Sequence, residues 1–476
     1  MITLHEKIDV NRPVAEAFAY VADFRTTEQW DSTVISARKL SGGPIGAGTL
    51  FEVVCRQPLG SVTLAYTLTH HEPGALLRLH GSSRFFEVDD EIRFTGTATG
   101  TRIDYRATFT FQKPLAAIAA RFQDGLERMG HESVQGLKRA LDDNFPAPAL
   151  PDSARWADKL VVPALAQFTR AGYNKGKKNW HPVSGWMGDK HVVITGASAG
   201  LGLAAAHRLA ELGAELTLVI RNESKALELK QAIERESGNN RVRIEIADLS
   251  LMSEVDRLVR RLKRIGKPID VLVNNAGALF NPRRETAEGL EESFALLLLS
   301  PYRLTEGLKP LLAGAGSARV INVVSGGMYS QRLDLERLEA PLENYSGSVA
   351  YARAKRGLMI VTEEWAKAWA GENIVVNAMH PGWARTPGVK SSLPTFHRLT
   401  RPVLRTPEQG ADTIVWLATA TEAAKTSGKL FLDREPRTTH LIASTRETEQ
   451  ERSALLEALA CYRPGMTAGA YRALAG

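Results

Sequence analysis

One stretch constrains this chain more than any other: His191 to Leu212, HVVITGASAGLGLAAAHRLAEL. Val192, Val193 and Ile194 form an apolar run that reads as a buried strand. It breaks into a turn and then an Ala/Leu-rich segment whose apolar residues recur at helical spacing. Gly196, Gly200 and Gly202 occupy the turn. Glycine permits positive φ, lets backbone approach a ligand closely, and lets a helix pack near a strand. The helix N-terminus then offers unpaired N–H groups and a partial positive charge, which together suit a pyrophosphate. Such glycine spacings also occur in ordinary turns. Here strand, turn and helix agree, and the stretch reads as a dinucleotide-binding unit.

At 476 residues the chain is too long for one typical domain, and two or three are expected. With 44% hydrophobic and 24% charged residues it has the composition of a soluble globular protein. The net charge of +7 is modest, and basic residues interleave with acidic ones, so nucleic acid is not the expected partner. Cys55 and Cys461 fall in separate regions, which leaves no disulfide framework and no cysteine-based metal site. A reducing compartment is the simpler reading, and the cytoplasm the expected location. The start, MITLHEKIDV, carries charges where a signal peptide has an apolar core. No window reaches the roughly 18–20 apolar residues of a membrane span.

Residues 3–10 alternate as a half-buried strand, and Asn11 offers a helix N-cap with Pro13 at the first helical position. Val14, Phe18 and Val21 then share a stripe. From Leu50 to Phe111 come several strand-like segments, LFEVVC, SVTLAYTLT, ALLRLHG, FFEVDDEIRF and RIDYRATFTF, and a long amphipathic helix follows to about Leu141. The aromatics Phe18, Trp30, Phe85, Phe86, Tyr105 and Phe111 read as core. No His/Asp/Glu arrangement in this region suggests catalysis, and His70 and His71 in one strand point to opposite faces. Strand, helix, antiparallel strands and long helix, with IDVNRPVAEAFAYVADFRTTEQWD and GPIGAGTLFEV, resemble the polyketide-cyclase/START-like helix-grip family across residues 1–142. That resemblance implies a cavity for an apolar ligand between sheet and helix.

DNFPAPALPDS (143–153) reads as a linker. In the following stretch Leu160, Val161, Leu165 and Phe168 are apolar, while Arg170, Lys175, Lys177 and Lys178 cluster at its end. An apolar face beside cations suits peripheral membrane contact through 155–180. A helix packed on the next domain is the simpler reading. From Lys190 onwards strands and helices alternate: HVVIT, ELTLVI, VRIEIA, DVLVNNAG, ARVINVVS, NIVVNAM and KLFLD are the strand candidates.

Six motifs accumulate in order: TGASAGLG (195–202), IADLS (246–250), NNAG (274–277), Ser325, YARAK (351–355) and HPGWART (380–386). Together they resemble the short-chain dehydrogenase/reductase family over about residues 189–445. VVSGGM, MHPGWARTPGV, LPTFH, QGADTIVWLA and the preceding FTRAGYNKGKKNW are similar to the branch called dehydrogenase/reductase member twelve. The chemistry is also readable from the residues. Moving hydride to or from a carbonyl carbon requires a proton donor or acceptor at the oxygen, and Tyr351 supplies one. Its ordinary pKa near 10 is high for neutral pH. Lys355, one helical turn along, is expected to stabilise tyrosinate and lower that value. Ser325 follows a strand and hydrogen-bonds the substrate oxygen. The resemblance implies that Lys355 also holds the nicotinamide ribose and that Asp248, with Leu249, meets the adenine. Thr195, Gly196, Ser198, Gly200, Leu201, Gly202, Asn275, Ala276 and Gly277 line the cofactor, with Tyr351, and Pro381, Gly382 and Thr386 lie beside the nicotinamide. His380 reads as structural.

An acidic residue after the second strand would accept bonds from the adenosine ribose and repel a 2′-phosphate. This chain has Arg221 there, a guanidinium suited to phosphate, with Glu223 two residues on. NADP(H) is the expected cofactor. In the branch's pattern an asparagine after NNAG holds a water in the proton relay; here Leu297 falls at that position, with Ser300 the nearest polar substitute. The expected architecture is an α+β helix-grip domain (1–145), a linker and helical extension (146–188), and a doubly wound Rossmann-type parallel sheet (189–476). The expected activity is NADP-dependent interconversion of a carbonyl and an alcohol on an apolar small molecule that the first domain binds or presents, in a homo-oligomer without metal. The alternative is a ligand sensor whose second domain binds cofactor with little turnover.

Overall fold

The computed structural model of the chain describes residues 1–57, 60–112, 123–142, 147–150, 167–177, 180, 187–385, 398, 400 and 402–462. Seven strands build the first sheet: β1 (Ile2–Val10), β2 (Val34–Lys39), β3 (Leu50–Gln57), β4 (Gly60–Glu72), β5 (Leu76–Ser82), β6 (Phe86–Gly96) and β7 (Thr101–Phe111). Each pairs antiparallel with its neighbours in the order β1-β7-β6-β5-β4-β3-β2. Alternation sets its faces. In β1, Ile2, Leu4, Ile8 and Val10 are buried while Thr3, His5, Lys7 and Asp9 are exposed. The inner face packs on α1 (Val14–Ala22), α2 (Thr27–Trp30) and the long α3 (Gln123–Asp142), whose Val134, Leu137 and Leu141 are buried. The aromatics fit this core except Phe85, which is exposed at the turn into β6. His71 is half-buried, 5.1 Å from the Phe18 ring, and His70 is exposed, as alternation requires.

Two local expectations change. Pro13, not Asn11, occupies the N-cap of α1, with no side-chain cap. The Asn11 N–H is held instead by Asp142 Oδ1 at 2.8 Å, so a tertiary contact with the end of α3 replaces a local one. The strand β2 and the short α2 before it carry no strong periodicity in sequence; pairing with β3 defines the one and packing against α3 the other.

The second sheet contains β8 (His191–Thr195), β9 (Glu215–Ile220), β10 (Val242–Ile246), β11 (Val271–Asn274), β12 (Ala318–Val323), β13 (Ile374–Met379), β14 (Leu430–Leu432) and β15 (Glu435–Arg437). The order is β10-β9-β8-β11-β12-β13-β14-β15, parallel except for β15, an edge strand that sequence periodicity did not reveal. Around it lie α4 (Arg170–Lys177), α5 (Gly200–Glu211), α6 (Ala226–Ser237), α7 (Met252–Ile265), α8 (Glu292–Phe294), α9 (Ser300–Ala313), α10 (Gly347–Ala368), α11 (Pro407–Thr419) and α12 (Glu449–Cys461). One core joins Val193, Leu272, Val320 and Val376 to α7, α9 and α10; the other joins Val192, Ile194, Val273 and Ile321 to α5 and α11. Burial on both faces is why these strands are continuous apolar runs rather than alternating ones. Because β8 lies between β9 and β11, the order of connection reverses beside it, and a crevice opens at the carboxyl ends of the strands.

The halves meet through charge. Asp23, 5% exposed, accepts from Arg25 and from Arg208 of α5, while Arg25 reaches Glu211 at 2.7 Å. The two guanidiniums hold the Asp23 carboxyl well below the usual carboxylate range despite its burial. Lys177 also pairs with Glu28. As the simpler reading of the connecting stretch expected, Phe168 packs on the second domain, its ring buried in the core with Val193 and Val320, 4.7 Å from His380. Residues 167–177 therefore pack on the second sheet's domain; 155–166 lie outside the described residues.

Candidate active site

β8 ends at Thr195, whose Oγ1 accepts the Asn275 and Ala276 N–H groups at 3.0 Å each and donates to the Val273 carbonyl at 3.2 Å. Asn275 Nδ2 reaches back to the carbonyls of Thr195 (2.9 Å) and Gly196 (3.1 Å). These bonds staple the glycine turn to the loop after β11. Gly196 has φ +67°, and a Cβ there would lie 2.7 Å from Ala276 Cα. At Gly202 a Cβ would lie 2.4 Å from the Gly196 carbonyl. The helix α5 opens at Gly200 with Ala199 at its N-cap and no side-chain cap, so its first N–H groups face the crevice beside exposed Ser198. Leu201 packs on α11.

At the next two strand ends, Asp248 Oδ1 accepts from Ser250 N (3.0 Å) and Oγ (2.7 Å), Leu249 is buried, and Arg221 Nη1 stands 3.9 Å from Asp248 Oδ2 with its side chain 69% exposed. This row suits a dinucleotide: a cradle that any Cβ would close, free helix N–H groups, and an open guanidinium where the second ribose would lie.

Ser325 follows β12, and its Oγ accepts the Gly327 N–H at 3.2 Å. Tyr351 and Lys355 face the same crevice from α10. The Ser325 hydroxyl hydrogen-bonds Tyr351 and partly offsets the burial that raises the phenol above its ordinary pKa. Lys355 is 3% exposed, with Nζ donating to the Val323 carbonyl at 2.6 Å and 6.0 Å from the centre of the Tyr351 ring. Burial lowers its ammonium to about 7. The expected lowering of the tyrosine by the lysine is thus not what this geometry gives. Burial raises the phenol and lowers the ammonium, so it favours the neutral form of each.

After β13, Gly382 adopts φ +67°, and the Pro381 carbonyl is gripped by Arg405 at 3.2 Å. Arg405 is buried, paired with Asp433 (2.6 and 2.8 Å), and also binds the carbonyls of Gln167 (2.5 Å) and Thr169 (3.2 Å). The Trp383 N–H donates to the Phe168 carbonyl at 2.8 Å. This clamp unites three distant segments, and sequence reasoning did not find it. His380 is buried and pushed down to about 3 by burial and by the Arg405 and Arg437 charges; it stays neutral and accepts from Gly382 N at 3.3 Å. Thr386 lies outside the described residues.

Leu297 is fully buried in a π turn (Ala295–Leu299) between α8 and α9, the local widening that recurs at functional sites. It packs against Gly277, where a Cβ would lie 3.0 Å from Leu297 Cδ2 and 3.9 Å from Lys355 Nζ. A cavity of about 10 Å³, room for a single water, is lined by the neighbouring Leu296 with Thr195, Asn274, Ser300 and Lys355. The buried Asn274 Oδ1 has no hydrogen-bond partner among the described residues. A larger cavity of about 450 Å³ lies at the amino ends of β8, β9 and β10, away from these residues.

Residues 190–395 match the family model for short chain dehydrogenase, and residues 1–142 that for polyketide cyclase / dehydrase and lipid transport. The chain is 39% identical over 311 residues to dehydrogenase/reductase SDR family member 12 of Bos taurus, covering 64% of this chain and 96% of that protein. The chain belongs to the short-chain dehydrogenase/reductase family. It is an oxidoreductase of the class acting on alcohol and carbonyl groups, with a polyketide-cyclase-like domain ahead of its reductase sheet. Polyprenol dehydrogenase of Homo sapiens is 30% identical over 303 residues, 61% of this chain and 89% of that protein. Among solved structures, L-sorbose reductase from Gluconobacter frateurii complexed with NADPH and L-sorbose is 26% identical over 51% of this chain and 94% of that one, with a TM-score of 0.42. Family members use NAD or NADP.

Proposed function

We propose that the chain is an NADP(H)-dependent reductase of apolar ketones or aldehydes, or the reverse dehydrogenase, with its first domain binding or presenting the apolar molecule. The observation that carries this reading is the half-buried Tyr351 hydrogen-bonded to Ser325, in the same fold as a turn whose glycines leave no room for a Cβ. Bound NADPH supplies hydride to the carbonyl carbon. The residues of this chain do the rest. Tyr351 gives its phenolic proton to the carbonyl oxygen, and the Ser325 hydroxyl hydrogen-bonds that oxygen and orients it. Lys355, lowered to about 7 and so able to give or take a proton near neutral pH, lines one small cavity with Ser300, through which protons would return to Tyr351. Support for an apolar substrate comes from the match of residues 1–142 to a lipid-transport family and from a relative named for polyprenol.

Arg221 supports NADP over NAD. Titration should show NADPH binding at least about ten-fold tighter than NADH, one well-formed charge-assisted contact. Arg221→Asp should erase or invert the preference; equal affinities in the unmodified chain refute the NADP assignment. Leu297 favours a second reading, a ligand sensor with slow turnover, because an apolar side chain at that position cannot hold a relay water.

A further inference from the structure

The inner face of the seven-stranded sheet is apolar at both ends and polar across its middle. Cys55 of β3, Tyr66 of β4, Asp90 of β6 and Tyr105 of β7 all face inward there, where alternation otherwise places Val, Leu, Ile and Phe. They divide the interior into one cluster around Phe18, Phe51 and Leu137 and another around Leu4, Val88 and Phe109, and Cys55, Tyr66 and Tyr105 border both. Gly81 of β5 makes the space: a Cβ there would lie 2.6 Å from Tyr66 Cε1. Asp90 is 4% exposed, and its cross-strand neighbours are Leu79 and Ala107. Its carboxyl faces the Tyr66 and Tyr105 hydroxyls, yet Oδ2 has no hydrogen-bond partner among the described residues. Burial, with the nearby charges of Asp89 and Asp31, pushes the carboxyl up to about 7, the tyrosines pulling the other way. Asp31, which follows α2 and is held by Thr33, is itself raised by burial, and burial pushes the Cys55 thiol up to about 12, leaving it unreactive.

A buried carboxyl with an orphaned oxygen costs stability that leucine would not. Such a group in a native interior calls for an occupant.

We propose that Asp90, with the Tyr66 and Tyr105 hydroxyls beside it, is the polar end of a second ligand site within the first domain, which takes an otherwise apolar molecule bearing one carbonyl or hydroxyl oxygen. A protonated carboxyl in apolar surroundings donates to a carbonyl oxygen, and a tyrosine hydroxyl adds a second donor. The inference rests on reading the first domain as the carrier of an apolar ligand, and it names the group recognised there, the same oxygen that Tyr351 protonates. The test uses the full chain and two fluorophores: propionyl-(dimethylamino)naphthalene, with one ketone, and its propyl analogue, in which that carbonyl is a methylene. At pH 6 the ketone should bind at least about ten-fold tighter, the size of one well-placed hydrogen bond. The preference should fall as pH rises through about 7 and Asp90 loses its proton. Asp90→Leu should bring the two probes within two-fold; Asp90→Asn, which keeps a donor, should retain most of the preference without its pH dependence. Tyr105→Phe, a minimal change, should lower the preference several-fold even if Asp90→Leu does not fold. No preference in the unmodified chain, or a preference unmoved by both Asp90→Asn at high pH and Tyr105→Phe, overturns the proposal. So does its loss in Tyr351→Phe, which would place the ketone in the reductase crevice. Preference without NADPH-dependent turnover in the unmodified chain would refute the reductase reading and leave this site standing.

Discussion

In the eight-stranded sheet Thr195, Asn275, Ser325 and Pro381 stand at or just past the carboxyl end of a strand, whereas in the seven-stranded sheet Tyr66, Asp90 and Tyr105 sit in the middle of theirs. The first arrangement leaves the strands largely apolar and puts chemistry in loops, where backbone N–H and C=O groups are free to bind. The second takes polar side chains into a core and must hold them against desolvation. A parallel sheet covered by helices has only its strand ends to offer a ligand. A curved antiparallel sheet has an inner face, so its site is built from side chains one per strand. The pKa directions follow this: Lys355 is lowered and Asp90 raised, each toward neutrality, because each is desolvated.

The largest effect expected is at the loop-built site. Tyr351→Phe should cut turnover by about 10²–10⁴-fold, the range for a lost general acid, with NADPH affinity within two-fold by fluorescence titration. More than a tenth of the rate remaining would mean another acid. Next, Asp90→Leu should be more stable than the unmodified chain. The folded state keeps the Asp90 proton up to about 7 while the unfolded state loses it near 4, so the carboxyl's penalty grows as pH rises between those values and is constant above. The gain at pH 8 is on the order of 4 kcal/mol, read from denaturant unfolding at several pH values. A pH-independent difference would mean that Asp90 ionises freely in the fold.

Gly202→Ala should lower NADPH affinity by about ten-fold or more, because its Cβ would meet the Gly196 carbonyl and the turn must shift. An unchanged affinity would show that the cofactor does not depend on the cradle. The smallest effect is expected beside Lys355. Leu297→Asn should raise kcat several-fold with KM little changed if proton return limits turnover, and Ser300→Ala should lower it. An unmodified enzyme turning over near about 10 s⁻¹, with neither substitution having effect, would show that protons return by another route.

The sequence by itself determined the parts whose specification is local. The apolar strands from His191 onward, the glycine turn, and the Tyr351 and Lys355 pair one helical turn apart are each contained within a few consecutive residues, and folding carries them into place almost unchanged. Alternation likewise put Asp90 on the inner face, between Val88 and Ile92, but could not say that Tyr66 and Tyr105 would meet it, since they lie 24 and 15 residues away in other strands. Only the tertiary structure decided which charges are lost. It set the raised Tyr351 and lowered Lys355, and joined Arg405 to Asp433, Gln167 and Pro381. The physical reason is that residue type and spacing fix which way a side chain points from its own strand or helix. What it loses in water and gains in partners depends on segments far away in the chain, brought near only when the cores close.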